Sequence, residues 1–211
     1  MRAHSCFSLG YGILKPEELA EWAQQNNYTQ LLLTDINHTG SALAFVRAAQ
    51  KCGIKPVLGL ELRNSQEIIA TIVARNNRGF QELNQFLSQH LHAHQAFNYP
   101  LPHFSACYVW YPLGKHPDKL AENEFVAIQA GQITQWQRQY NTIPLQKCVA
   151  DIPMTFRHKR DFNTHRLLRA IADNCLLSKL EPSAHAKASE TFQTLAQIEA
   201  AFATAPILLS N

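Results

Sequence analysis

Asp35 closes the apolar run "QLLLTD", and Glu61 closes a second one, "PVLGLE". Each acid stands at the end of a strand-like segment, where the strands of an α/β barrel present side chains to a catalytic mouth. A carboxylate there can move a proton or ligate a hard cation, or it can simply cap and hydrogen-bond its neighbours. The residue after Asp35 is Ile36, which can neither ligate nor titrate. A third candidate is "HLHAHQ". On a helix, His90 and His94 share a face at the i, i+4 spacing that zinc sites use, with His92 between them. No Glu-x-x-His companion follows, the nearest other histidine is His103, and a helix C-terminus suits histidine electrostatically as well. Nucleophile signatures are missing. There is no G-x-S-x-G elbow, P-loop or G-x-G-x-x-G, and Cys6 beside His4 and Ser5 lacks a third partner.

Strand-like runs alternate with helical patterns, which predicts an α/β fold. "RAHSCFS" reads as a first strand. A helix then starts at Pro16, with Glu17 and Glu18 in its first turn and Leu19, Trp22 and Ala23 on one face. After "QLLLTD", a second helix runs from Ser41 as N-cap to Gly53 as the residue past its end. "IKPVLGLEL" and "EIIATIVARN" are strands separated only by "RNSQ". That is too short for a parallel crossover, so an antiparallel or local pairing is predicted, which argues against a uniform eight-fold parallel barrel. A helix with Phe80, Leu83 and Leu87 on one face follows from Asn77, then a loop from Leu91 to Ser105. "ACYVWYP", "EFVAIQ" and "KCVADI" are further strands, the last two flanking a helix over Gln132 to Tyr140. Helices are also predicted over Asp161 to Leu177 and Glu190 to Ala203.

The chain has 211 residues, 46% hydrophobic and 17% charged, which suits one sizeable folded domain. No apolar run approaches the roughly 18 residues that span a bilayer, and the N-terminus lacks the features of a signal peptide. The five cysteines form no C-x-x-C pair, so reduced thiols in a cytoplasm are expected. A net charge of +3 does not by itself indicate nucleic-acid binding, and no dense basic and aromatic stripe marks such a surface. The most basic stretch, "RHKRDFNTHR", reads either as a solvated helix start or as a contact with phosphate or another part of a larger protein.

Taken in order, "HSCFSLGYG", "LLLTDINHTG", "AAQKCGIKPVLGLEL" and "VARNNRGFQELNQF" resemble the polymerase-and-histidinol-phosphatase (PHP) domain at the N-terminus of the bacterial DNA polymerase III alpha subunit. The resemblance implies an α/β fold, a distorted PHP-type barrel of about seven strands related to the TIM barrel. It implies one PHP domain over residues 1–211, whose helical part from about residue 158 leads into a polymerase core outside this chain. The magnesium of nucleotidyl transfer belongs to that core.

Metal-binding members hold a trinuclear cluster on about nine His, Asp and Glu side chains, and its ions activate water and neutralise phosphate charge. Here the opening H-x-H-S reads "RAHS", so Arg2 replaces the first histidine and His4 survives. Tyr11 stands for an aspartate, Ile36 for the histidine after Asp35, and Ile69 for the histidine of the fourth strand. Gly131 stands for a mid-domain histidine, and Pro153 and Thr155 stand for the closing aspartate and histidine; Glu61 is kept. The resemblance therefore predicts a degenerate site with no catalytic residue, no metal and no cofactor, in which Arg2 pairs with Glu61 or Asp35. The implied role is a non-catalytic scaffold in DNA replication. It would be partnered by the rest of the alpha subunit and by a proofreading subunit, would meet DNA only through the full polymerase, and would not meet a membrane. The alternative is a residual metal-dependent phosphoesterase or exonuclease built on His4, Asp35 and Glu61.

Overall fold

The computed structural model of the chain describes residues 1–210. Backbone contacts divide it into two units. One comprises Met1–Val57 and Pro153–Thr194; the other comprises Leu58–Ile152 and the residues from Leu195 onward. Both are mixed α/β.

In the first unit, β1 (Arg2–Ala3) lies between β2 (Gln30–Ile36) and β8 (Pro153–Met154), parallel to both. Arg2 is level with Leu32 and Pro153, and Ala3 with Leu33 and Met154. Helices α1 (Pro16–Gln25) and α2 (Ala42–Lys51) pack on each other. Leu19, Ala20 and Ala23 of α1 and Phe45, Ala48 and Ala49 of α2 are buried. Gly53 takes a φ of +67° just after α2, a left-handed end that glycine adopts without a side-chain penalty.

Helix α5 (Lys159–Ala172) is turned unusually. It buries Asp161, His165 and Arg169, spaced i, i+4, and leaves Leu167 and Ile171 51% and 67% exposed.

β3 (Lys55–Asn64) begins in the first unit, where the Lys55 N–H donates to the Thr29 carbonyl, and runs on into the second. There the strand order is β3, β4 (Glu67–Ala74), β5 (Cys107–Pro112), β6 (Glu124–Ile128) and β7 (Cys148–Ala150). The β3–β4 and β4–β5 pairs are antiparallel, and the β5–β6 and β6–β7 pairs are parallel. The short "RNSQ" connection is thus a hairpin turn, with Ser65 at a φ of +54°. Helix α3 (Asn77–His92) covers this sheet. Its Leu83, Phe86 and Leu87 join Leu60, Leu62, Ile72, Val109 and Tyr111 in one core. Gly79 lets α3 approach closely, since a Cβ there would come within 2.1 Å of the Ala106 carbonyl oxygen. Helix α4 (Ile133–Gln139) buries Ile133 and Trp136, and α6 (Leu195–Ala201) and α7 (Ile207–Ser210) end the described chain.

Three element predictions need correction. The first strand keeps only Arg2–Ala3 of "RAHSCFS", because the chain turns at Ser5 and Ser8. The helix predicted to run to Leu177 ends at Ala172, with Asn174 in a left-handed turn at a φ of +49°. The last predicted helix begins at Leu195 rather than Glu190. The Glu190 carbonyl accepts the Thr155 N–H and Thr191 bridges Phe156, so residues 190–192 are held extended.

Candidate functional site

The parallel register of β1 and β2 sets the geometry around Asp35. With Ala3 level with Leu33, Ser5 falls opposite Asp35 just past the end of β1. The Ser5 N–H donates to Oδ1 at 2.7 Å and the Ser5 hydroxyl to Oδ2 at 2.7 Å. The Ser8 hydroxyl donates to Oδ1 at 2.7 Å, and the Ser41 hydroxyl makes a very short bond to Oδ2. A carboxylate offers about four lone-pair sites, and here four donors fill them. Asp35 is 1% exposed. It ties the turn after β1 to the start of α2, and this explains why Ser41 precedes α2 without capping it: its hydroxyl faces Asp35. Of the two acids expected to face Arg2, Glu61 or Asp35, Asp35 is taken up by three hydroxyls and a backbone N–H. Ser5, Ser8 and Ser41 are hydrogen-bond partners of Asp35 that the sequence reading missed. Only the recurrence of serine in "HSCFS" and "TGSA" hinted at them.

His4 sits at the same strand tips. Its Nδ1 is 3.4 Å from the Thr155 hydroxyl, which in turn donates to Glu190 Oε2 at 3.1 Å. Arg2, His4, Pro153 and Thr155 are all buried. Two positions where the resemblance expects ligands lie in one apolar cluster. Tyr11 packs with Phe156 and Ala186, and Ile36 joins them together with Ile13 and Phe162. The Tyr11 ring also stands edge-on to His4 and to His165.

His165 and Arg169 hold this cluster from α5. His165 Nδ1 is 2.7 Å from the Tyr11 carbonyl, and the Ala186 N–H donates to its Nε2 at 2.9 Å. An accepting Nε2 fixes the neutral tautomer, with the proton on Nδ1. Burial, followed by the nearby charges of His185, Arg169 and His4, lowers the pKa of His165 to about 4, against the Tyr11 carbonyl, which favours the charged form. The Arg169 guanidinium donates to the Ala184 and Gly10 carbonyls and to Asp173. Both side chains therefore grip the same two segments, residues 10–11 and 184–186.

In the second unit, Glu61 is fully buried and its Oε1 receives both Nε and Nη2 of Arg63 at 2.5 Å. The strand continues three residues beyond Glu61 to Asn64, so this acid lies within β3 and not at its end. Arg63 was legible only as the i+2 neighbour on one strand face in "ELR". Ile69 lines a cavity of about 230 Å³ with Glu67, Ile68, Tyr99 and Lys115. Gly131 lies in a single 3₁₀ turn, Ala130–Gln132. His90 bonds the Phe86 carbonyl and stacks on Phe97, while His92 and His94 are exposed. Among the described residues, no three His, Cys, Asp or Glu side chains are grouped to share a metal ion.

The class defined by these observations is a mixed α/β protein whose conspicuous polar positions cluster at the tips of parallel strands. Residues 1–160 match the PHP domain, and the chain belongs to that family. The DNA polymerase III alpha subunit of Buchnera aphidicola is 30% identical over 95 residues, covering 42% of this chain and 8% of that protein. An error-prone DNA polymerase of Symbiobacterium thermophilum is 32% identical over 88 residues, again 42% of this chain and 8% of the relative. The alpha subunit of Streptococcus pyogenes is 24% identical over 165 residues, 75% of this chain and 15% of that protein. The chain thus spans a small part of the length of these relatives. Among solved structures, a putative metal-dependent phosphoesterase of Bifidobacterium adolescentis matches with 11% identity and a TM-score of 0.37, covering 96% of this chain and 94% of that one. No helix among the described residues is long and apolar enough to cross a membrane.

Proposed function

We propose that this chain is a PHP domain that keeps the fold without the metal cluster and serves as a non-catalytic scaffold within a bacterial replicative DNA polymerase. The observation that carries the reading is the state of Asp35. Four hydrogen bonds engage both oxygens, so the carboxylate holds two segments of the fold together and has no lone pair left for a cation.

The residues present do not fit a cluster of closely spaced cations. Such ions need several carboxylates to offset their mutual repulsion and lost hydration. Glu61 faces the fixed positive charge of Arg63. His4 is turned through Nδ1 to Thr155, and Tyr11 and Ile36 contribute an apolar contact where ligands would stand. The polymerase setting is supported by the named relatives, all of them DNA polymerases. In that setting the rest of the alpha subunit is the primary partner, a proofreading subunit is a second one, and the compartment is the cytoplasm.

The test is co-expression of this chain with the remainder of its polymerase as a separate polypeptide. The scaffold reading expects a stable complex, and a polymerase piece that loses solubility or activity without this chain. Full activity of that piece alone, with no complex formed, would overturn the reading.

A further inference from the structure

Helix α5 carries polar side chains inward and apolar ones outward. Asp161, His165 and Arg169 take its buried face, which leaves Arg160, Thr164, Leu167 and Ile171 exposed on the other. A surface helix ordinarily turns its apolar stripe to the core. The four exposed residues are spaced 4, 3 and 4 apart, the interval at which two helices meet side by side.

Leu9 widens this face. The Arg169 guanidinium donates to the Gly10 carbonyl at 3.3 Å, and a Cβ on Gly10 would lie 2.9 Å from the Ala172 Cβ. The turn that carries Leu9 is thereby seated against the end of α5, and Leu9 itself is 86% exposed. Leu176, just past the left-handed residue Asn174, is exposed as well. All of these residues belong to the first unit. Exposed apolar side chains gathered in this way mark an association surface.

The charges on the face have opposite signs at its two ends. Lys159 and Arg160 start the helix, and Asp173 follows its last residue; all three are exposed. Asp173 Oδ1 accepts from Arg169 at 2.7 Å, which leaves Oδ2 for a further donor. Arg160 precedes Leu167 by seven residues and Asp173 follows it by six. A second α5 laid antiparallel across Leu167 therefore brings each Arg160 to the other's Asp173. A parallel one would set like charges against each other. A patch that complements itself is what a two-fold interface requires.

We propose that the outward face of α5 joins this chain to a second copy of itself, antiparallel about a two-fold axis near Leu167. One helix pair flanked by Leu9 and Leu176 is a small interface, so the association is weak and concentration-dependent. The inference is independent of the scaffold reading, since it uses none of the residues that surround Asp35 or His4.

The experiment is sedimentation equilibrium of the 211-residue chain from about 1 μM to about 1 mM, the range of weak specific association. The mean mass should rise from the 23.9 kDa of one chain toward twice that value. Ile171→Glu should hold it at one chain throughout, whereas Leu43→Glu, on the exposed side of α2, should associate as wild type does. Arg160→Glu and Asp173→Lys should each weaken association about fivefold. An equal mixture of those two variants should recover it, because both ion pairs across the two-fold are then restored with reversed sign. Circular dichroism checks that each variant is folded. A single-chain mass at every concentration would overturn the proposal and leave the face to a different protein. Association untouched by Ile171→Glu, or a mixture no stronger than either charge variant alone, would overturn it too.

Discussion

Replacing Asp35 by asparagine tests whether that side chain is a structural hub. The substitution removes the charge and turns one acceptor oxygen into an NH₂ group. Of the four donors now on the carboxylate, those on the oxygen that becomes nitrogen lose their acceptor and meet another donor. Hydrogen bonds to a charged group contribute about 1.5–3 kcal/mol each, and leaving a buried donor unsatisfied costs about 1–3 kcal/mol. The serine hydroxyls can rotate toward other acceptors, which recovers part of the loss, whereas the Ser5 N–H cannot. A destabilisation of about 3–5 kcal/mol follows, in the range for breaking one side of a buried charged network. For a chain of this size it lowers the melting temperature by roughly 6–20 °C. The assay is urea denaturation of both proteins, with and without EDTA. The expected result is a large drop for the variant and an unchanged wild-type midpoint with EDTA. A drop below about 1 kcal/mol, or a wild-type midpoint that falls with EDTA to that of the variant, would refute the hub and point to a metal ligand.

Other expectations concern the neighbouring groups. His165 has a folded-state pKa of about 4 against an ordinary value of 6.5, so between those values the unfolded chain binds the extra proton. Stability is then full above about pH 6.5 and declines as pH falls to about 4, by roughly 3 kcal/mol in all; the pH dependence of urea midpoints should flatten over that window in His165→Gln. Arg63→Met removes the guanidinium from buried Glu61 and should cost about 2–4 kcal/mol, whereas Arg63→Met combined with Glu61→Gln should be less destabilised than the sum, as a double-mutant cycle would show. Ile36→His places an imidazole against the Tyr11 and Phe156 cluster, so thermal melts should show a loss of about 1–2 kcal/mol, with no phosphodiesterase activity gained.

Much of the fold is legible in the sequence because local signals coincide with it. Pro16 with Glu17 and Glu18 starts α1, Gly53 follows α2, and the brevity of "RNSQ" fixes an antiparallel hairpin. The failures occur where side chains distant in sequence decide. The first strand is cut short by Ser5 and Ser8 turning to Asp35, and the last helix is delayed because Glu190 and Thr191 pair with residues 155–156. Helix α5 escapes a periodicity argument altogether, since its inward face is Asp161, His165 and Arg169. At the site, Asp35, His4 and Glu61 are visible as chemically capable residues, but their partners are not. Thr155 reaches His4 from 151 residues away and is itself held by Glu190, and no spacing rule joins Asp35 to Ser41.

The proposal that metal chemistry has been lost is tested most directly by metal analysis and a nuclease assay on the same preparation. The 211-residue chain is purified without chelator, analysed for zinc, manganese and iron, and incubated with single-stranded DNA and added manganese beside a variant mutated at both His4 and Glu61. The scaffold account predicts substoichiometric metal and no cleavage above the double variant. Stoichiometric metal, or manganese-dependent cleavage that vanishes in the double variant, would contradict it.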